Sequence, residues 1–262
     1  MNSFLTKILK FKRAALEHQK KNVQLRTLEK GIEEAPPVRN FSKAICRPSQ
    51  IRLIAEIKKA SPSRGIIRAE FDPLEIASIY EKSGVAAISV LTEEKFFLGH
   101  PRFLKEIRKK CLCPLLRKDF IFDEYQIFES RYLGADALLL ITAILSEIQL
   151  KQLLKLTEAL GMQALVEVHN QSELGVALRA GARLVGVNNR DLNSFDTHLS
   201  TAVSLGRFFP HGIARVAESG LFTHKDVIKM KRSGYHAVLI GEAIIKKKNI
   251  GEKIRELMGY NK

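Results

Sequence analysis

Eight times along this chain a mostly apolar run of five to eight residues gives way to other structure, and that repetition restricts the fold more than any other feature. The runs are IRLIAEIK (51–58), AAISVLT (86–92), PLLRKDF (114–120), ALLLI (137–141), ALVEVH (164–169), LVGVNN (184–189), IARVAES (213–219) and AVLIG (237–241). Between them, segments such as 73–82, 124–132, 147–160 and 226–232 carry apolar residues at helical period. Gly84, Gly134, Gly181 and Gly234 each stand two to three residues before a strand, where a helix ending in the left-handed conformation costs glycine little. Strands apolar on both faces and alternating with helices form a parallel sheet covered by helices. Eight units, with no GxGxxG after the first strand, favour closure into a barrel over an open doubly wound sheet. A length of 262 residues suits one such domain. The expectation is an α/β fold, a single (β/α)8 TIM barrel over 51–262, preceded by an N-terminal helical extension over 1–50 that packs on it.

Residues 1–30 place Phe4, Leu5, Ile8, Phe11, Ala15, Val23 and Leu28 among many basic residues, the pattern of one amphipathic helix outside the repeat. Its apolar stripe is expected to fold back over the catalytic rim, and Pro36 and Pro37 then break the chain. Charge bears on partners. The formal net charge of +15 invites polyanions, yet the basic residues are spread along the helices with no nucleic-acid-binding motif, so attraction of a small anionic substrate explains it as well. Three cysteines, Cys46, Cys111 and Cys113, give neither an even disulfide set nor paired CxxC spacing; reduced thiols and a cytoplasmic location are expected, with Cys111 and Cys113 packing as they enter a strand. No apolar run approaches the ~20 residues that cross a bilayer.

Chemistry collects where a barrel of this kind carries its active site, at the C-terminal strand ends. The first run ends in Glu56 and Lys58, an acid and a base that strand alternation sends to one face, and the turn Ser61-Pro62-Ser63-Arg64-Gly65 follows. The third ends in Arg117, Lys118 and Asp119, the fifth in Glu167 and His169, the sixth in Asn188, Asn189, Arg190 and Asp191, and the seventh in Glu218 and Ser219. Any one of these fits a solvated rim; five strands ending polar together favour a proton-transfer site. The last two strands run into ESG and IGEAI, small residues before what reads as a short helix in each case, an arrangement whose backbone N–H groups can bind phosphate.

The motifs IAEIKKASPSRG, LLRKDFIFDEYQIFESRYLGADALLLI, ALVEVHN, GVNNRDL, VAESGL and AVLIGEAI together resemble the successive motifs of the indole-3-glycerol phosphate synthase family, in order and over 51–244. The resemblance implies the decarboxylating, dehydrating ring closure of 1-(2-carboxyphenylamino)-1-deoxy-D-ribulose 5-phosphate to indole-3-glycerol phosphate, a lyase reaction of tryptophan biosynthesis, with no metal and no organic cofactor. By the same resemblance Lys118 is the general acid and Glu167 the base that assists loss of water. Lys58 holds the departing carboxylate, and Glu56, Asn188 and Glu218 orient these groups. Ser61, Phe120, Arg190 and Leu239 bind substrate, and Ser219, Gly220, Gly241 and Glu242 hold the phosphate. Glu242 departs from relatives with serine there, which leaves its backbone N–H as the expected contact. The implied partner is a phosphorylated small molecule, with neither nucleic acid nor membrane, met by a monomer, although nothing in the sequence sets the oligomeric state. Two alternatives stay open: another phosphate-binding barrel such as phosphoribosylanthranilate isomerase, in which Lys58 and Lys118 have no use, and a basic RNA- or membrane-associated barrel protein.

Overall fold

The computed structural model of the chain describes residues 3–191 and 194–260; Leu192 of the GVNNRDL motif, Asn193 and the two residues at each end lie outside the described residues. All eight expected strands form: β1 Arg52–Ile57, β2 Ala87–Leu91, β3 Leu115–Lys118, β4 Ala137–Ile141, β5 Gln163–Val168, β6 Leu184–Asn188, β7 Ala214–Glu218 and β8 Ala237–Ile240. Each pairs in parallel with its sequence neighbour, and β1 also pairs with β8, Leu53 opposite Val238 and Ile54 opposite Leu239, so the barrel closes. The period of two then sorts the side chains. Leu53, Ala55, Ile57, Val90, Leu138, Leu140, Val166 and Val168 face the surrounding helices, whereas Ile54, Leu116, Leu139, Leu165, Val216 and Leu239 fill the interior. Continuing each interior row by two residues puts Glu56, Lys118, Glu167 and Glu218 on top of that apolar plug, at one end of the barrel.

The helices of the repeat are α4 Pro73–Lys82, α5 Pro101–Lys110, α6 Glu124–Tyr132, α7 Glu147–Ala159, α8 Gln171–Ala180, α9 Ser200–Leu205, α10 His224–Arg232, α11 Glu242–Ile245 and α12 Ile250–Met258, with α1 to α3 before them. Their starts are chemical. Asp72 caps α4 ahead of a proline at its first turn, and Asp123 with Gln126, Ser146 with Gln149 and Thr223 with Asp226 form reciprocal capping boxes. The Thr223 cap is why α10 begins at His224 rather than at residue 226. The glycines before the strands, Gly84, Gly134, Gly181 and Gly234, have φ of 74°, 86°, 100° and 83°, the left-handed ends expected of them.

One expectation needs correction. Residues 1–30 are not one helix: α1 Ser3–Asn22 and α2 Leu25–Glu33 are separated by Val23 and an extended Gln24, and α3 Phe41–Ile45 follows the prolines. The interruption is tertiary in origin. The Tyr125 hydroxyl donates to the Val23 carbonyl at 2.9 Å, and the bend lets Leu16 and Leu28 bury themselves together against Tyr125 of α6. Cys111 and Cys113 lead into β3 and pack as expected, Cys111 in the core and Cys113 against it. Cys111 ends α5 and is buried, while Cys113 lies in the connection before β3, where the Glu81 carboxylate accepts the amide N–H groups of Leu112 at 2.6 Å and Cys113 at 3.1 Å. Among the described residues no helix is long and apolar enough to cross a membrane.

Candidate active site

Lys118, the last residue of β3, stands between two carboxylates from strands far along the chain. Its Nζ lies 3.3 Å from Glu167 Oε2 on β5 and 3.4 Å from Glu218 Oε2 on β7. Across the mouth, Lys58 Nζ pairs with Glu56 Oε1 at 2.6 Å, which bears out the shared face read from strand alternation. Glu56, Glu167 and Glu218 are all buried, and the two lysines keep about a sixth of their side chains in contact with solvent, 15% for Lys58 and 16% for Lys118.

Small residues make room for these acids. A Cβ on Gly186 of β6 would collide with Glu218 Oε1, and one on Gly241 would collide with the Glu56 carboxylate. Around them lies a layer that holds position. Asn188 Oδ1 accepts from the Arg190 amide at 3.0 Å, and the Asn189 side-chain amide donates to the carbonyls of Glu218 at 3.0 Å and Ser219 at 3.1 Å. The latter bond secures Ser219 in a left-handed conformation, φ 65°, unusual for a residue with a Cβ, just before Gly220 at φ 75°. His169 bridges Glu167 at 3.3 Å and Glu173 at 3.0 Å. Arg117 faces away from the cleft: it pairs with Glu129 at 2.7 Å and Asp119 at 3.2 Å and donates to Thr92 at 3.1 Å, tying β3 to α6 behind Lys118.

Charge and burial divide the acids. Burial raises the Glu218 pKa to about 8, with Glu167 and Glu56 adding to the rise and the Lys118 ammonium opposing it. Burial would raise Glu167 too, yet Lys118, His169 and a hydrogen bond from Asn188 outweigh it and hold Glu167 below the usual carboxylate range. Burial alone would lower Lys118, and the surrounding Glu167, Glu218 and Glu56 keep it above the ordinary lysine value instead. His169, lowered by burial but raised more by Glu167 and Glu173, reaches about 10 and stays an imidazolium at neutral pH. Two carboxyl groups on one lysine, one kept ionised and one kept protonated, form a proton-transfer pair.

The cleft above this cluster is apolar at one side and cationic at the other. Phe4, Leu5 and Ile8 of α1 face Leu91, Phe97, Phe120, Ile141 and Leu239 of the barrel, leaving a slot fit for an aromatic ring. The α1 helix is fastened there by Lys12, whose Nζ lies 2.8 Å from buried Asp119, and by Phe4, which stacks edge-on against Phe96 and Phe195 at 5.6 and 5.1 Å. At the other side, Ser219, Gly220 and Gly241 line the cleft with Arg190 and Glu242, and the Glu242 carboxylate gathers Arg64, Arg190 and Lys246 at 3.3, 3.5 and 2.5 Å. The short helix expected after each of the last two strands is found once: α11 follows Gly241, whereas Gly220 is followed by a loop before α10.

Every residue expected at the site, Glu56, Lys58, Ser61, Lys118, Phe120, Glu167, Asn188, Arg190, Glu218, Ser219, Gly220, Leu239, Gly241 and Glu242, lines this one cleft. Absent from that expectation were Gly186 and Lys12, whereas Asp119 and Asn189 had been read only as polar strand ends and Phe4 only as part of a stripe over the rim. Strand alternation carries a signal for Gly186, which shares the inward row with Asn188; nothing local marks Lys12. Among the described residues the one set of His, Cys, Asp or Glu side chains whose ligand atoms converge as a metal site would is Glu81, Cys111 and Cys113, which lies before β2 and β3, away from the cleft.

Residues 5–257 match the family model described as indole-3-glycerol phosphate synthase. Proteins of that name from Alkaliphilus metalliredigens and Chloroherpeton thalassium are 47% and 49% identical to the chain, over 97% and 93% of it and 97% and 95% of their own lengths. Among solved structures, 3-hexulose-6-phosphate synthase from Salmonella typhimurium superposes with a TM-score of 0.66 over 80% of this chain and 97% of its own, at 14% identity, a likeness of fold alone.

Proposed function

The chain belongs to the indole-3-glycerol phosphate synthase family, a carboxy-lyase of tryptophan biosynthesis acting on a phosphorylated small molecule, and on that premise we propose how its residues divide the reaction. The observation that carries the proposal is the Lys118 Nζ set 3.3 and 3.4 Å from two buried carboxyl groups, Glu167, whose pKa its surroundings lower, and Glu218, whose pKa burial raises. The aromatic ring of 1-(2-carboxyphenylamino)-1-deoxy-D-ribulose 5-phosphate lies in the slot walled by Phe120, Leu239 and α1. Lys118 donates a proton to the ribulose carbonyl oxygen as the ring carbon attacks the carbonyl carbon, which becomes a carbinol. Lys58 holds the carboxylate until it leaves as carbon dioxide, returning its electron pair to the ring and restoring aromaticity; Glu56 sets Lys58 in place beforehand.

Loss of water completes the indole. Glu167 takes a proton from the ring-closed intermediate while Lys58, whose own proton is unspent once carbon dioxide has left, protonates the departing hydroxyl; Glu167 then returns its proton to Lys118, and Asn188 and Glu218 keep these groups aligned. Ser61 and Arg190 orient the chain of the sugar, and the N–H groups of Ser219, Gly220, Gly241 and Glu242 hold the phosphate far from the reacting atoms, where it fixes orientation. Each step is a proton transfer or an orientation that these side chains can supply without metal or organic cofactor. Our reading is of a monomer working in the cytoplasm on a phosphorylated small molecule, with neither nucleic acid nor membrane as partner.

The test is direct. Incubation with the carboxyphenylamino substrate, followed by indole fluorescence, is expected to show turnover that Lys118→Ala lowers by at least ~100-fold with the fold kept, the scale of a lost general acid. Glu167→Gln is expected to slow product formation while binding persists. Near-normal turnover in K118A, or a change confined to KM in E167Q, would remove these residues from their roles.

A further inference from the structure

Glu242 is where the chain puts a negative charge into the place meant for one. We propose that the Glu242 carboxylate is a resident counter-anion of the phosphate end of the cleft, which the substrate's phosphate displaces from Arg64 and Arg190, so that Glu242 weakens the cleft's hold on phosphate and keeps free inorganic phosphate from filling it. The proposal rests on the assignment of Ser219, Gly220 and Gly241 to the phosphate.

Three observations support it. The Glu242 side chain is only 9% exposed, yet it collects cations from three separate segments: Arg64 from the turn after β1, Arg190 from the loop after β6 and Lys246 from one turn further along its own helix. One carboxylate needs one partner. Three cations around it leave an excess of two positive charges, which is the charge of a phosphate dianion. The partners also differ in what they can release. Lys246 is an i,i+4 neighbour at 2.5 Å and can stay with Glu242, whereas the guanidinium groups of Arg64 and Arg190, at 3.3 and 3.5 Å, are the looser contacts and the ones whose fork matches a phosphate. Finally, Lys246, Arg64 and Lys58 outweigh the effect of burial and hold the carboxyl below its usual range, so it competes as a full anion at neutral pH.

The experiment is calorimetric titration of inorganic phosphate, at fixed ionic strength, into the full chain and its Glu242→Gln and Glu242→Ser variants, with anthranilate as a phosphate-free probe of the aromatic slot. Removing the competing charge is expected to tighten phosphate by at least ~10-fold in both variants, the scale of relieving a like-charge contact at a largely buried carboxylate. Anthranilate affinity is expected to stay within ~2-fold, since a phosphate-free ligand does not displace the carboxylate. Should the neutral variants fail to fold, Glu242→Asp withdraws the charge by one methylene, and tighter phosphate is again expected. Phosphate affinity equal to or below that of the unaltered chain in the folded variants would overturn the proposal. Phosphate that binds the unaltered chain without raising KM for the substrate would instead overturn the placement of the phosphate end, and the proposal with it.

Discussion

A single ammonium that serves two buried carboxylates cannot neutralise both, and at this site the imbalance has a titration attached. Glu218, raised to about 8 by burial and then by its acidic neighbours, is neutral below that pH and anionic above it. Once anionic it repels a substrate that itself carries a carboxylate and a phosphate. Free-enzyme kcat/KM is therefore expected to fall as pH rises through about 8, and Glu218→Gln, which cannot ionise, is expected to flatten that limb. A limb that persists in E218Q would belong to another group. The space Glu218 occupies exists because residue 186 has no side chain. Gly186→Ala is expected to push the carboxylate off Lys118, lowering kcat/KM by at least ~10-fold while overpacking costs about 1–3 kcal/mol of stability, measured by denaturant titration. Full activity in G186A would show that the acid is not held where it stands.

At the scale of elements, α1 is an addition to a closed barrel and yet completes its cleft. Its aromatic and aliphatic side chains form one wall of the slot, and its attachment to the barrel runs through Lys12 and Asp119, the residue after Lys118. Burial would raise Asp119, but Lys12 and Arg117 outweigh it and hold the carboxyl at about 2. Because that value is depressed, the pair's contribution is present above the ordinary aspartate range and is lost as pH falls through about 2. Lys12→Met is expected to cost about 1–3 kcal/mol, the scale of a buried charge deprived of a partner, and to raise KM more than it lowers kcat. Deleting residues 1–30 is expected to leave far-ultraviolet circular dichroism barrel-like while substrate affinity falls. A truncated chain with full activity in solution that no longer sediments with anionic vesicles would make the helix a membrane anchor instead.

Across the whole molecule, a net charge of +15 draws anions toward a mouth lined by Lys58 and Arg190, with Arg64 and Lys246 paired to Glu242 at its edge. The field acts over about 8 Å at physiological salt, so KM for the anionic substrate is expected to rise several-fold between ~0.05 and ~0.5 M salt while kcat changes little. Filter binding to RNA separates steering of a small substrate from a nucleic-acid function. Affinity that is weak and shows no sequence preference at ~0.15 M salt fits the former; tight binding with a steep salt slope would point to the latter.

Much of this could be seen in the residues alone, because the quantities involved are local and periodic. A period of two assigns Ile54, Glu56 and Lys58 to one row, a period of 3.6 marks the helices, and a glycine needed at positive φ before a strand punctuates the repeat. The same rows sufficed to bring Lys118, Glu167 and Glu218 to one end of the barrel. Tertiary structure decided what depends on segments distant in sequence meeting at sub-ångström tolerance. The break between α1 and α2 exists because Tyr125 and Leu28 need it. Arg117 and Lys118 are neighbours in sequence, but only the packed α6 shows that the first is structural and the second faces the cleft. Glu242 reads as an odd residue in a phosphate loop until Arg64, Arg190 and Lys246 close around it. Electrostatic energies follow distance and burial, not chain order, so an acid's pKa and its choice of partner are set only once the chain has folded.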